Sequence, residues 1–197
     1  MDNLLNVFPP GFPVLTDGLQ ALDLAALRER VGKVSRALQA RVNPRGPVAI
    51  LADNSPEWLA VDLATQELDL TLVPLPLFFT PAQWLHVLAQ SCATSLFCAH
   101  AAQAAALGFD AVTSYDGALA LCEAAAPACA TTLAGTQKIT FTSGTTSVPK
   151  GVCLSTGQQW EVAHALQRGI SALGLERHLC LLPFAVLLEN IAGAYTA

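Results

Sequence analysis

Charged residues are scarce in this chain. Asp, Glu, Lys and Arg together account for 13% of its 197 residues, about half of the share that is usual in soluble globular domains. The ten Lys and Arg residues are spread thinly and the net charge is −5. Both facts argue against the basic face of a nucleic-acid-binding protein and against an electrostatic membrane patch. With 53% hydrophobic residues, the composition predicts apolar faces that further protein covers, so we expect self-association of this chain.

Cysteine pairs at CxxC spacing are absent. The six cysteines stand mostly in apolar stretches such as "SLFCA" and "HLCLLPF", where a reduced cysteine packs as a small hydrophobic side chain. None of the four histidines has metal-ligand spacing to another. The sequence therefore predicts neither a metal site nor a redox pair.

Patterns of targeting and membrane-spanning segments are missing as well. The first stretch, "MDNLLNVFPPGF", lacks a basic region and is broken by prolines, unlike a signal peptide. Residues 70–109 carry no charged side chain, but Pro74, Pro76 and Pro81 interrupt them. A membrane helix needs roughly 20 apolar residues in a row, so we expect a protein without a transmembrane segment, located in the cytoplasm.

Helix and strand patterns alternate along the chain. Ser55 before Pro56 is typical of a helix start, and Thr80 with Gln83 has the spacing of a capping box. The predicted helices cover 22–42, 56–67, 81–90, 101–107, 117–125 and 156–173. The predicted strands cover 47–52, 70–75, 94–99, 110–115, 138–142, 151–154 and 179–182. Such alternation predicts an α/β fold with a largely parallel sheet flanked by helices.

A polar loop at residues 140–151 carries the clearest chemical signal. It reads "TFTSGTTSVPKG", with hydroxyl side chains around Gly144 and Lys150 shortly after. A glycine allows close approach of a ligand, while backbone N–H groups, hydroxyls and a lysine can together hold phosphate oxygens. A Walker loop is excluded because there a G-K-[ST] sequence leads into a helix. The remaining alternative from composition alone is a solvated Ser/Thr-rich hairpin loop.

The order of residues in this loop resembles a known family. "FTSGTTSVPKGV" is similar to the phosphate-loop signature of the adenylate-forming enzymes, which include acyl-CoA synthetases and peptide-synthetase adenylation domains. Ser147 stands where that signature has a second glycine. The stretch from Arg45 to Ala99 also resembles this family. "LCLLPFAVLLENIAGAY" resembles the family's "LPLSHVFE" turn, with Glu189 matching its glutamate and Val186 in place of its histidine.

The resemblance implies that residues 1–197 are the N-terminal portion of an AMP-binding domain, without its later part and small C-terminal domain. It implies ATP-dependent activation of a carboxylic acid, of the fatty-acid class, as an acyl-adenylate and then as a coenzyme A thioester. ATP, Mg²⁺ and coenzyme A are the implied cofactors, and no catalytic residue is assigned. The implied phosphate-binding residues are Thr142, Ser143, Gly144, Thr145, Thr146 and Lys150. We expect the chain to be inactive alone; the alternatives are an enzyme that loads a carrier protein and a non-catalytic remnant or interaction module.

Overall fold

The computed structural model describes residues 11, 13–41, 43–112, 115–124, 134–142, 148–175 and 177–196. The strands in these ranges are β1 (Pro13–Thr16), β2 (Ala21–Asp23), β3 (Val48–Leu51), β4 (Leu72–Pro74), β5 (Ser95–Cys98), β6 (Asp110–Ala111), β7 (Ala120–Glu123), β8 (Lys138–Thr142) and β9 (Lys150–Leu154). The helices are α1 (Leu24–Gln39), α2 (Pro56–Glu67), α3 (Pro81–Ser91), α4 (Ala101–Ala106) and α5 (Thr156–Ile170), with a 3-10 turn at Ser171–Leu173 and a π-helix at Leu188–Ala194.

The main sheet has a parallel centre and antiparallel edges. Its seven strands lie in the order β6-β7-β5-β3-β4-β8-β9. The pairs β5–β3, β3–β4 and β4–β8 are parallel, while β6–β7, β7–β5 and β8–β9 are antiparallel. This arrangement confirms the predicted α/β class and assigns the parallel pairs to the four central strands.

Helix starts follow the local signals in the sequence. The Ser55 hydroxyl accepts a hydrogen bond from the Trp58 N–H at 3.1 Å, and Pro56 occupies the first turn of α2. Thr80 and Gln83 form the predicted capping box of α3. These contacts satisfy N–H groups that have no partner within the helix. The bounds of α2 and α3 agree with the prediction to within one residue, while α1 and α5 each end three residues before the predicted end.

Two hydrophobic cores lie on opposite faces of the sheet. Alternate residues of β3 point to opposite sides: Val48 and Ile50 pack with residues of α1 and α2, while Ala49 and Leu51 pack with residues of α3 and α4. This division follows from the two-residue side-chain period of a strand. Helices cover both faces, so the β3 backbone is buried in the middle of the molecule.

Two predicted elements are wrong. The expected helix over 117–125 contains strand β7 instead, because Leu121 faces one core and Cys122 the other, which is a strand period. The expected strand over 179–182 does not form. A strand needs a neighbour for its backbone groups, and no described strand pairs with this segment; Leu179 and Leu181 are 74% and 77% exposed.

The cysteines follow the prediction only in part. Cys98, Cys122, Cys153 and Cys180 are free thiols, and Cys98 and Cys122 are buried as small core residues. Cys92 is disulfide-bonded, which corrects the expectation of a reduced cysteine at that position.

Membrane-spanning helices are not found in the described ranges: none of the helices there combines the length and apolar character that crossing a bilayer requires.

Candidate functional site

The polar loop connects the two strands of a hairpin at the edge of the main sheet. Thr142 is the last residue of β8, Lys150 is the first residue of β9, and their Cα atoms are register partners. Both residues are exposed. The structure thus brings two of the predicted phosphate-binding residues together at the mouth of the loop. The others, Ser143, Gly144, Thr145 and Thr146, lie outside the described residues, as does Ser147.

The exit of the loop is attached to helix α3. Pro149 is buried, and its carbonyl oxygen lies 3.2 Å from His86 Nε2. A carbonyl oxygen only accepts hydrogen bonds, so this contact requires the tautomer in which Nε2 carries the proton. Sequence analysis had given His86 no role, because its partner is 63 residues away in the chain.

A glycine is required directly after Lys150. A Cβ atom at Gly151 would lie 3.0 Å from Ile139 Cγ2 and 3.0 Å from Phe141 Cζ. Both neighbours are side chains of β8, so a side chain at residue 151 would have to displace them for β9 to pair as closely with β8. The glycine therefore favours the close pairing of the two strands next to Lys150 and Thr142.

The base of the same hairpin carries a buried ion pair. Lys138, the first residue of β8, lies with its Nζ 2.9 Å from Oδ1 of Asp62 on α2. Lys138 also donates to the Tyr195 hydroxyl at 2.8 Å and to the side-chain oxygen of Asn190. Burial lowers the pKa of Lys138 below its ordinary value, while Asp62 acts in the opposite direction. Burial, followed by the charge of Asp62, raises the pKa of Tyr195 well above its ordinary value.

Asn54 holds the turn that precedes the π-helix. This residue follows β3 and binds the turn at two points: its side-chain amide donates to the Leu182 carbonyl at 2.8 Å, and its side-chain oxygen accepts from the Phe184 N–H at 2.7 Å. Val186 lies half-buried in this turn, with its N–H bonded to the Pro183 carbonyl at 2.8 Å. The turn with the unusual valine is therefore fixed beside the carboxyl end of a central strand.

Glu189 is buried at the start of the π-helix. Its Oε2 accepts a hydrogen bond from the Leu182 N–H at 3.0 Å, and its Oε1 contacts His178 Nε2. Burial raises the pKa of Glu189, but the hydrogen bonds from His178 and Leu182 outweigh that effect and hold the pKa below its ordinary value. The structure thus makes Glu189 an enclosed, hydrogen-bonded group and not a carboxylate on a helix surface.

Comparison with protein families decides the affiliation of the chain. The profile of the AMP-binding enzymes, described as "AMP-binding enzyme", matches residues 6–197. The chain belongs to the AMP-binding enzyme family. A comparison with curated proteins gives no significant match.

Solved structures of AMP-binding enzymes share the fold. ATP-bound MatB of Rhodopseudomonas palustris is 22% identical, with a TM-score of 0.65 over 90% of this chain and 38% of that one. The Bacillus subtilis o-succinylbenzoate coenzyme A synthetase MenE, in complex with AMP, is 19% identical, with a TM-score of 0.63 over 91% of this chain and 49% of that one. An inhibitor-bound N-terminal domain of FACL13 from Mycobacterium tuberculosis is 18% identical, with a TM-score of 0.61 over 90% and 48%.

The chain spans less than half of the length of these three AMP-binding enzymes. At such identities the likeness establishes the shared α/β fold. The hairpin of β8 and β9, with Thr142 and Lys150 at its tip, is accordingly a part of the AMP-binding fold.

Proposed function

We propose that this chain is the ATP-phosphate-binding portion of an AMP-forming acid–thiol ligase. Its substrate class is a small carboxylic acid, of the fatty-acid type by the resemblance of residues 182–189 to the long-chain synthetases. The observation that carries the proposal is the exposed pair Thr142 and Lys150 at the mouth of a glycine-containing polar loop.

The charge and geometry of this hairpin suit a polyphosphate. Lys150 forms no ion pair with a carboxylate in the part of the chain that the structure describes, so its ammonium is available to an anionic ligand. Gly151 keeps the strands close enough for Thr142 and Lys150 to act on one ligand. The chemistry of these groups fits ATP phosphates, with Ser143, Gly144, Thr145 and Thr146 completing the set. Mg²⁺ would bind largely through the phosphates themselves.

The proposed reaction has two steps. A carboxylate oxygen of the substrate attacks the α-phosphorus of ATP, the bond to the β-phosphate breaks, and pyrophosphate leaves from an acyl-adenylate. The coenzyme A thiol then attacks the acyl carbonyl, and AMP leaves as the thioester forms. Lys150 and the loop would stabilise negative charge on the β- and γ-phosphates during the first step, which is electrostatic stabilisation by groups already in position.

The proposal also covers the extent of the domain, the self-association of the chain and its location. We infer that residues 1–197 form the N-terminal portion of the AMP-binding domain and are inactive alone, since the chain spans less than half of the length of the solved relatives. Exposed leucines in the last third of the chain favour self-association when nothing covers them. They are Leu166, Leu173, Leu175, Leu179, Leu181, Leu182 and Leu188. A cytoplasmic location stays a prediction.

Nucleotide binding is tested first, on the 197-residue chain. We expect Mg-ATP to bind in isothermal titration calorimetry and Lys150→Ala to weaken binding at least about tenfold, equivalent to about 1.4 kcal/mol. Lys33→Ala is the matched control, because Lys33 is an exposed lysine on α1 whose ion pair in the described part of the chain is with Glu29. Equal ATP affinity in the Lys150 and Lys33 variants would remove the basis of the proposal.

Activity is tested on the protein made from its whole reading frame. Carboxylate-dependent ATP–pyrophosphate exchange with a panel of fatty acids would establish adenylation, and coenzyme A thioester formation would separate a coenzyme A ligase from an enzyme that loads a carrier protein. Ser147 and Val186, which depart from the family signatures, favour a second candidate: a non-catalytic remnant that binds nucleotide or protein. ATP binding without exchange for any acid would support that candidate.

A further inference from the structure

We propose that His178, Cys180 and Glu189 form a binding site for a divalent transition metal, with Zn²⁺ as the best-suited ion. The imidazole, thiol and carboxylate ligand atoms of these residues all lie within 4.8 Å of one another. None of the three residues belongs to the polar loop at residues 140–151, and the proposal does not depend on the proposed ligase activity.

The cluster is built from two neighbouring parts of the chain. His178 and Cys180 are separated by one residue in the segment before the π-helix, and Glu189 comes from the first turn of that helix. The turn fastened by Asn54 reverses the chain between them. The spacing of histidines in the sequence did not predict this site, because it contains a single histidine and this reversal brings Glu189 to it.

The nitrogen, sulfur and oxygen ligand atoms indicate which class of metal ion the site would bind. Nitrogen, sulfur and oxygen ligands of this kind are typical of Zn²⁺, whereas Mg²⁺ and Ca²⁺ prefer oxygen ligands alone. Zinc bonds of roughly 2.0–2.3 Å place the ligand atoms of a tetrahedral site roughly 3–4 Å apart, so small side-chain adjustments suffice. Three protein ligands leave a fourth position, and the His178 side chain is 37% exposed, which leaves an approach from solvent.

The surroundings of the cluster favour metal binding over simple packing. The Leu182 N–H holds Glu189 Oε2 at 3.0 Å, and this contact leaves Oε1 directed at His178, in the manner of an outer-shell partner that orients a ligand. A Cβ atom at Gly193 would lie 2.5 Å from Glu189 Oε1 and 2.5 Å from His178 Nε2. Glycine at this position therefore leaves room for the carboxylate and the imidazole to come together.

A plain ion pair between His178 and Glu189 is the competing explanation, and Cys180 distinguishes the two. Beside a plain ion pair the Cys180 thiol only shares a hydrogen bond with Glu189, which a serine hydroxyl can replace, whereas a metal site needs the sulfur as a ligand. The decisive variant is thus Cys180→Ser, which changes one atom in a half-buried side chain. Cys153→Ser is the matched control, since Cys153 is a free, exposed cysteine on β9.

The experiment uses the 197-residue chain, stripped with a chelator and then dialysed against Zn²⁺ or Co²⁺ alone. We expect about one metal ion per chain, a thiolate-to-cobalt absorption band, and a loss of affinity of at least ~100-fold in Cys180→Ser and His178→Ala, since even outer-shell changes cost 10–100-fold. Cys153→Ser should keep both the metal and the band. Circular dichroism verifies that each variant is folded.

Two further measurements keep the test decisive if a variant fails to fold. In the unchanged chain, Zn²⁺ should slow alkylation of Cys180 and leave the rate at Cys153 unaltered, as peptide mass spectrometry would report. Substoichiometric metal in the unchanged chain, a cobalt spectrum without the thiolate band, or equal alkylation of Cys180 with and without Zn²⁺ would each overturn the proposal. ATP binding that depends on Lys150 would remain in that case, so the two proposals fail separately.

Discussion

The ammonium of Lys138 lies 2.9 Å from a carboxylate oxygen of Asp62, and both side chains are almost completely buried. The pair joins the first residue of β8 to helix α2, and Asn190 and Tyr195 of the C-terminal region complete its hydrogen bonds. Three distant parts of the sequence meet at this point, at the base of the hairpin formed by β8 and β9.

Removing one member of this pair should strongly destabilise the fold. Lys138→Met leaves the Asp62 charge buried without its partner, and such changes typically cost about 3–5 kcal/mol. The double variant Lys138→Met with Asp62→Asn should recover part of the loss, because no uncompensated charge remains. Urea unfolding provides the measurement, with Lys33→Met, at an exposed pair, expected to stay within about 0.5 kcal/mol. A Lys138 variant as stable as the unchanged chain would contradict this account.

Gly151→Ala should strain the hairpin. The added methyl group meets Ile139 and Phe141 at 3.0 Å, and overpacking of this kind costs typically about 1–3 kcal/mol. Mg-ATP binding should weaken together with thermal stability, because the backbone at Lys150 is displaced. Gly157→Ala is the control: an added Cβ would have Ser155 Oγ, 3.9 Å away, as its nearest contact, and alanine favours the helix there. Equal effects of the two substitutions would argue that close approach at residue 151 is unimportant.

His86→Ala should loosen the exit of the phosphate loop while leaving the fold largely intact. The substitution removes the contact with the Pro149 carbonyl, and a hydrogen bond of this type contributes about 0.5–1.5 kcal/mol. We expect weaker ATP binding, by roughly two- to tenfold, in titration calorimetry. His100→Ala is the control, because His100 is exposed and makes no side-chain cap to α4. An unchanged ATP affinity in His86→Ala would show that α3 does not position the loop.

Glu57 should give the chain a stability that falls as the pH rises. Burial raises the pKa of Glu57 above its ordinary value, against the opposing effect of Arg30 and Lys33. The folded state therefore holds its proton to higher pH than the unfolded state does. Its contribution is fully present below the unfolded pKa of 4.5 and is lost as the pH rises through the higher folded value.

The Glu57 prediction is measured by urea unfolding between pH 4 and pH 8, within the range where the carboxylate titrates. Glu57→Gln should flatten the pH dependence and raise stability at neutral pH. The side-chain amide can still meet the Tyr115 hydroxyl that donates to Glu57. The groups that face Glu57 around a cavity of about 280 Å³ are Glu29, Arg30, Lys33, Tyr115 and Asp116. A variant that keeps the original pH profile would contradict the assignment of this pH dependence to Glu57.

Local signals in the sequence predicted those helices whose first turn is fixed by a hydrogen bond between residues close together in the chain. Ser55 and Thr80 cap α2 and α3 through hydrogen bonds that span only three residues. Strand β8 was predicted with the observed bounds because its β-branched and aromatic residues, Ile139 to Thr142, lead directly into a polar loop. Strand β7 was not predicted because its alanine-rich sequence suits a helix. The segment forms a strand because it pairs with β5 and β6, which lie elsewhere in the sequence.

In the candidate site, too, the residues predicted from the sequence are those whose signal lies within one short segment. Thr142 and Lys150 were predicted from the order of residues in one loop, and the structure brings them together. His86 reaches that loop across 63 residues, and Asp62 reaches Lys138 across a similar stretch of chain. No local sequence pattern predicts these contacts, because they result from the packing of α2 and α3 on opposite faces of the sheet.

The short joint between β4 and β8 has a mechanical consequence. The two strands share one register pair, Leu72 with Lys138, so the phosphate-loop hairpin is fastened to the parallel strands at its base, while its far end is held by side chains such as His86. A ligand that displaces Thr142 and Lys150 should therefore also disturb the base of the hairpin, where the Leu72 N–H donates to the Gln137 carbonyl at 2.7 Å. Amide hydrogen exchange at Leu72, measured with and without Mg-ATP, would report such a disturbance.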